Sequence, residues 1–495
     1  MAQRHMDRLT SFDTSFLANE RAHGHMAIGA VLVCDGAAPS HEDFLAHIRS
    51  RLHLLPRFRQ RLAVPPLQLG RPFWVDDPEF DIDAHVRRVT IPSPGSEEQF
   101  RDLAAAIFSP PLDRSRSLWE LCLVEGLEGN RFGVVYKTHH ALADGISAVD
   151  IGTLLFDIEP NFEPVREEEP WNPHMPPSKP DLLGSAAAGL GGTVLRMLRW
   201  FGAALRHPRR AAKRAGDGAA GLWEVTWALT KPAPKVPVNV EIGPDRSIDW
   251  TRCNLDDFKR IKNVLGGTVN DVVLAVTSGA LRRWLQDRGV QTDAKALQAL
   301  VPVSVRAENE HGDLGNRLTA MRCPLPVDIA DPVERLRFVC AAMDGLKSSK
   351  QPLGAEALWG LNDWFRDFAP PWLLQATSRL NFSTRLFNLL VTNFPGPQIP
   401  IYVLGRELVG VYPVGFLARR HALSIAIISY NGSINFGLLA DRDAIADVGQ
   451  IAVYLEEAVD ELLDAARIAS RDNGYELAGD SRPRLAGEPE GLVGG

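Results

Sequence analysis

The stretch FGVVYKTHHALADG, from Phe132 to Gly145, decides how this chain is read. Its first half is an apolar run holding Val134, Val135 and Tyr136, which reads as a buried strand over Phe132–Thr138. Its second half, His139-His140-Ala-Leu-Ala-Asp144-Gly145, leaves that strand and leads into a helix expected over Gly145–Phe156, with Ile146, Val149 and Thr153 on one side. An imidazole at the end of a buried strand can stand in an enclosed channel, and its near-neutral pKa suits a general base for a hydroxyl or thiol. Asp144, at the helix start, can orient the loop through an Arg or backbone N–H groups, or can act simply as the N-cap. Gly145 lets the backbone turn tightly or approach another segment. Neighbouring strand residues point to opposite faces, so one of His139 and His140 can be a satisfied core histidine. The same divergence makes a metal shared by the two histidines and Asp144 awkward, and no metal is expected.

Working outward, the segment before this motif mixes strands and helices. Ala27–Cys34 and Leu118–Val124 read as strands, and His41–Leu54 and Glu97–Ile107 as helices. Residues 159–180 are dense in Pro and Glu and read as a linker or a long surface loop. From Asp181 to Asp217 no acid intervenes, while Arg196, Arg199, Arg206, Arg209, Arg210, Lys213 and Arg214 interleave with Leu190, Val194, Leu198, Phe201 and Leu205. A basic, aromatic, amphipathic segment of this kind suits a membrane or lipid surface, or a solvated helix packed on its own protein.

A second strand–helix region follows. Thr268–Asp287, Pro332–Leu346 and Ala444–Ile468 read as helices, with Gly289 as a stop signal for the first. Leu297–Val305, Leu318–Leu325 and Leu389–Thr392 read as strands, and Asn431-Gly432 joins Ala422–Tyr430 to Ser433–Ala440 as a hairpin. The division expected is 1–160, a linker at 161–235 with the basic segment, 236–470, and a disordered tail at 471–495. The fold class is α/β with mixed sheets in two similar halves.

The chain has 495 residues, a formal net charge of -7 and five widely spaced cysteines without a Cys-x-x-Cys pair. An overall basic footprint for nucleic acid is absent, and no nucleic-acid partner is expected. The cysteines fit buried thiols in a reducing cytosol. The N-terminus has no apolar core of a signal peptide, and no apolar run is long enough to cross a bilayer. G-x-S-x-G, Walker A, G-x-G-x-x-G and H-E-x-x-H patterns are missing, so covalent serine or cysteine chemistry has no sequence support.

These segments together resemble the bacterial wax ester synthase/acyl-CoA:diacylglycerol acyltransferases, from about Leu9 to about Arg467. The resemblance is carried by Leu9–Glu20 (LTSFDTSFLANE), by Pro111–Glu120 (PLDRSRSLWE), and by His139–Gly145, which matches HHxxxDG at every fixed position. It continues through Asn270–Ala275 (NDVVLA), Val301–Arg306 (VPVSVR), Thr392–Pro397 (TNFPGP) and Gly437–Asp443. Ala27 stands where the family usually has a His after Met, and Ala446 where it has Pro. The resemblance implies two chloramphenicol-acetyltransferase-like domains joined by a crossover linker, with a tunnel between them and His140 as catalytic base. His139 and Asp144 are the other candidate catalytic residues. Arg59 is the candidate partner of Asp144, and Gly145, Asn270 and Asp271 are supporting positions. It also implies acyl-CoA as substrate with no cofactor, diacylglycerol or a long-chain alcohol as acceptor, and a cytoplasmic protein meeting the inner membrane or a lipid droplet through 190–214. Two other readings keep the fold: an acyltransferase with a polyketide or carrier-linked acceptor, and a lipid-surface binding protein.

Overall fold

The computed structural model describes residues 6–20, 23–66, 70–142, 152, 154–161, 171–185, 188, 206, 232–293, 296–304, 318–348 and 382–472. The first half supplies β1 (Met6–Arg8), α1 (Ser11–Asn19), β2 (Ala27–Asp35), α2 (His41–Arg51), β3 (Gln60–Ala63), β4 (Phe73–Asp76), β5 (Val86–Thr90), α3 (Glu97–Phe108), β6 (Trp119–Leu127) and β7 (Arg131–His139). The second half supplies β8 (Arg246–Asn254), α4 (Leu255–Leu265), α5 (Val269–Asp287), β9 (Leu297–Ser304), β10 (Leu318–Leu325) and α6 (Pro332–Ser348). It ends with β11 (Leu389–Pro395), β12 (Tyr402–Val403), β13 (Arg406–Val414), β14 (Leu423–Tyr430), β15 (Ser433–Asp441) and α7 (Val448–Asp472).

Two six-stranded mixed sheets carry the fold, in the orders β12-β13-β2-β7-β6-β5 and β10-β9-β11-β14-β15-β8, beside a small sheet β1-β4-β3. The α/β class with mixed sheets is therefore as expected. Apolar runs became central strands: β7 pairs with β2 on one side and β6 on the other, both antiparallel. Asn431 and Gly432 both take positive φ, 40° and 79°, the backbone a two-residue hairpin turn requires. Helix α5 starts with a capping box in which Thr268 and Asp271 satisfy each other's backbone N–H groups. Helix α7 begins at Val448 rather than Ala444, because the Asp441 side chain accepts the Ala444 N–H and closes a turn over 442–444. It runs on to Asp472, into the segment expected to be a disordered tail; residues 473–495 lie outside the described residues. So does most of the helix expected over 145–156, where only 152, 154 and 155 are described as helical.

The sheets do not follow the order of the chain. Strand β13 belongs by sequence to the second half, yet it pairs with β2 in the first sheet, from Leu408 opposite Cys34 to Val414 opposite Gly29. Its neighbour β12 covers only Arg406 and Glu407, so Pro413 lies on an uncovered edge where its missing N–H breaks no ladder. After a connection of eight residues, 415–422, the same chain enters β14 of the second sheet. The crossing is tight: a Cβ on Gly437 of β15 would stand 1.8 Å from the Pro413 carbonyl oxygen. Around it, the Tyr430 hydroxyl donates to Leu408 O and accepts from Ile401 N, and Trp250 stacks on Tyr412 at 5.0 Å. Because the obstacle at Gly437 is backbone, Gly437→Ala cannot be relieved by a rotamer. It should destabilise the protein by about 1–3 kcal/mol, read as a fall in the urea midpoint; an unchanged midpoint would show that the two strands can part freely.

Candidate active site

Strand β7 ends at His139 and the chain turns at once: the Leu142 N–H donates to His139 O, and the Ala141 N–H donates to His139 Nδ1 at 3.0 Å. The turn is tied to its neighbours through His139 N to Leu118 O and His140 N to Met26 O, 3.0 and 2.9 Å. The two histidines diverge as strand geometry demands. His139 is buried, with Nε2 3.7 Å from Glu20 Oε2, an ion-pair distance rather than a direct hydrogen bond. His140 is half-buried and enters an aromatic nest. Phe16 of α1 stacks on its ring at 3.9 Å and 16°, and Phe416 meets it edge-on at 5.7 Å.

This nest draws on both sheets. Phe16 and Met26 come from the first half, Leu390, Phe416 and Ala418 from the second, and Phe382 packs against them. From Phe416 a crevice continues between Phe382, Phe387, Leu390, Ala418 and Leu423 to the ring of His421, which stacks on Phe387 at 4.3 Å. Its walls are carbon surface and aromatic faces. That environment sets the titration of His140: burial lowers its pKa to about 4, against a weaker upward pull from its own backbone carbonyl, and His139 adds to the lowering.

The other expected site residues divide. Asp144 and Gly145 lie outside the described residues, as does the basic segment apart from exposed Arg206. Arg59 is buried, in the short helical turn Pro56–Arg59, with its guanidinium 5.0 Å from the Trp171 ring centroid. Asn270 accepts from Asn393 Nδ2 at 3.0 Å, so the NDVVLA and TNFPGP segments meet by fastening the start of α5 to β11. Asp271 is the buried partner in the α5 capping box. Glu20, Arg114, Phe16 and Phe416 were given no role by the sequence reading, although Phe16, Glu20 and Arg114 lie in the two opening segments that carry the family resemblance. Among the described residues no group of three His, Cys, Asp or Glu side chains could hold a metal ion.

The chain matches the wax ester synthase/diacylglycerol acyltransferase catalytic-domain model over residues 9–273 and the corresponding C-terminal-domain model over 314–463. It belongs to this family. It is 34% identical to a probable diacylglycerol O-acyltransferase of Mycobacterium tuberculosis over 92% of this chain and 96% of that one. A second such protein of the same organism is 32% identical over 94% of this chain and 100% of its own length. Among solved structures it resembles the wax ester synthase/diacylglycerol acyltransferase of Marinobacter aquaeolei, with TM-score 0.63 and 26% identity over 93% of this chain and 99% of that one. The first condensation domain of the calcium-dependent antibiotic synthetase shares the fold at TM-score 0.54 and 16% identity, over 94% and 97% of the two chains.

Burial holds not only His140 but also His25, His47 and His421 at about 4, against 6.5 for a free histidine. All four are neutral in the fold and take up protons on unfolding below 6.5. Their stabilising contribution is therefore complete above 6.5 and is lost as pH falls from there through about 4. Glu20, pushed up by burial but held at about 2 by His139 and Arg114, adds its own loss only below its ordinary value of 4.5. The urea midpoint should accordingly fall between pH 6.5 and 4.5; a flat profile in that window would contradict neutral buried imidazoles.

Proposed function

We propose that this protein transfers a long-chain acyl group from acyl-CoA to the hydroxyl of diacylglycerol, making triacylglycerol, and to a long-chain alcohol, making a wax ester. The observation that supports it best is a neutral imidazole, His140, set among aromatic rings contributed by both halves of the chain. His140 removes the acceptor's hydroxyl proton as the oxygen attacks the thioester carbonyl carbon. The tetrahedral intermediate collapses, the C–S bond breaks, and the CoA thiolate takes the proton back from the imidazolium. No acyl-enzyme forms, and nothing beyond the acyl-CoA substrate is needed as a cofactor. His140→Ala should lower the turnover of palmitoyl-CoA with diacylglycerol and with hexadecanol by about 10²–10⁴-fold while the urea midpoint is kept. A folded variant with near-normal product formation would exclude His140 as the base.

No single helix among the described residues is long and apolar enough to cross a membrane, and both acceptors are insoluble. The basic segment 190–214 therefore supplies the contact with an anionic membrane or droplet surface in this reading, through arginine charge and interleaved apolar side chains. Replacing Arg206, Arg209 and Arg210 together by Glu should abolish sedimentation with anionic vesicles. Unchanged sedimentation would remove the segment from that role.

A further inference from the structure

One carboxylate in this site has no part in the transfer just described. Glu20 closes helix α1 and is almost wholly enclosed, its side chain 10% exposed. Burial alone would neutralise it. Instead it meets two partners on different elements. Arg114, from the loop before β6, donates Nε to Glu20 Oε2 at 2.7 Å and adds Nη2 to the same oxygen. That Nη2 also donates to Leu17 O at 3.0 Å, satisfying a carbonyl that the end of α1 leaves without a helical partner. On its other side stands His139. Because His139 Nδ1 accepts the Ala141 N–H, the neutral ring carries its proton on Nε2, the nitrogen that faces Glu20.

The consequences reach His140 by two routes. His139 forms the turn that displays His140, so fixing the His139 ring fixes the backbone from which the reactive imidazole projects. Phe16 lies one helical turn before Glu20 on the same face of α1, and it is the ring stacked on His140. The same carboxylate thus holds both the strand end that carries the base and the helix that packs against its face. We propose that Glu20 is a positioning residue for His140, acting through the His139 imidazole and, with Arg114, through the seating of α1. The proposal rests on the reading of His140 as general base.

The charge is not needed to neutralise a buried cation. The Arg114 side chain is 47% exposed and can return to water. Glu20→Gln keeps the shape and leaves no stranded ion, so the fold should survive. What it removes is the negative charge that stands 3.7 Å from His139 Nε2 and is held by Arg114. A displacement of about 1 Å at a reacting group can cost on the order of 10²-fold in rate, and the loss should appear in kcat while KM stays within about twofold.

The experiment measures kcat, KM and urea midpoint for Glu20→Gln, for His139→Asn, which keeps an acceptor for the Ala141 N–H but has no atom at the position of Nε2, and for the double variant. The expected result is a kcat loss in each single variant, a loss in the double smaller than the product of the two because only the route through His139 is shared, and unchanged midpoints. Arg114→Lys should retain most of the kcat that Arg114→Ala loses. Wild-type kcat in folded Glu20→Gln would overturn the proposal, as would multiplying losses in the double variant. Should Glu20→Gln fail to fold, wild-type kcat in His139→Asn overturns it equally. His140→Ala measured alongside separates the two ideas: an active His140→Ala removes the general-base reading itself, whereas an inactive one beside a fully active Glu20→Gln removes only the role of Glu20.

Discussion

The crossing of β13 is the constraint on which the rest of the molecule depends. This strand is hydrogen-bonded into the first sheet and, after a connection of eight residues, the chain is hydrogen-bonded into the second. The connection between the two, Gly415 to Ala422, carries Phe416, Ala418 and His421, which line the aromatic nest and its crevice. The site is therefore built on the link between the sheets rather than beside it. A shift of one sheet against the other would drag Phe416 across His140, and the backbone contact between Gly437 and Pro413 leaves little room for one.

Inter-sheet contacts away from the site hold the same relationship. Ser109, at the end of α3, accepts the Arg246 N–H through its hydroxyl, while its carbonyl meets His25. Arg101 of α3 lies over Trp250 at 4.9 Å and pairs with Asp249 at 3.0 Å. Buried Lys137 spends its ammonium on Ile107 O and Pro110 O, carbonyls at the end of α3. Burial lowers its pKa to about 8, so it remains mostly charged at neutral pH and serves as a cap for the helix terminus. The Lys137 ammonium is thus committed to backbone carbonyls and the Arg101 guanidinium to Asp249 and Trp250, and the region around His140 is left apolar.

How far the sequence could be read follows from what each element depends on. Strand β7 was legible because its burial on both faces demands a continuous apolar run, and the hairpin because Asn431-Gly432 supplies the positive φ values its turn needs. Strand β8 escaped notice because its Ile248 and Trp250 are separated by Asp249 and followed by Thr251 and Arg252, a short pattern at a sheet edge. Strand β13 escaped because Gly410 and Pro413 argue against a strand until a bulge and an open edge are seen to accommodate them. At the site, the paired histidines were legible as a motif after a strand, and their divergence followed from strand geometry. Glu20 and Arg114 were not, since they lie 94 residues apart, one at the end of a short helix and one in a loop, and acquire meaning only when α1 and the loop before β6 converge.

Dryness around His140 acts in two opposed ways on the proposed transfer. It weakens the base in its resting state, because an imidazolium without water is expensive, and that is the cause of the pKa near 4. It also removes the solvent that would otherwise compete for the hydroxyl proton and screen the developing charges. The balance favours reaction only if charge moves a short distance between groups already aligned, so that the alkoxide oxygen and the imidazolium form together and remain neighbours. Orientation then matters more than intrinsic basicity. A ring stacked at 3.9 Å on Phe16, abutted by Phe416, and projecting from a turn closed by the adjacent histidine meets that requirement with contacts that carry no net charge. The ionised groups, Glu20 and Arg114, stand behind His139, where they can fix geometry without placing a fixed charge against His140.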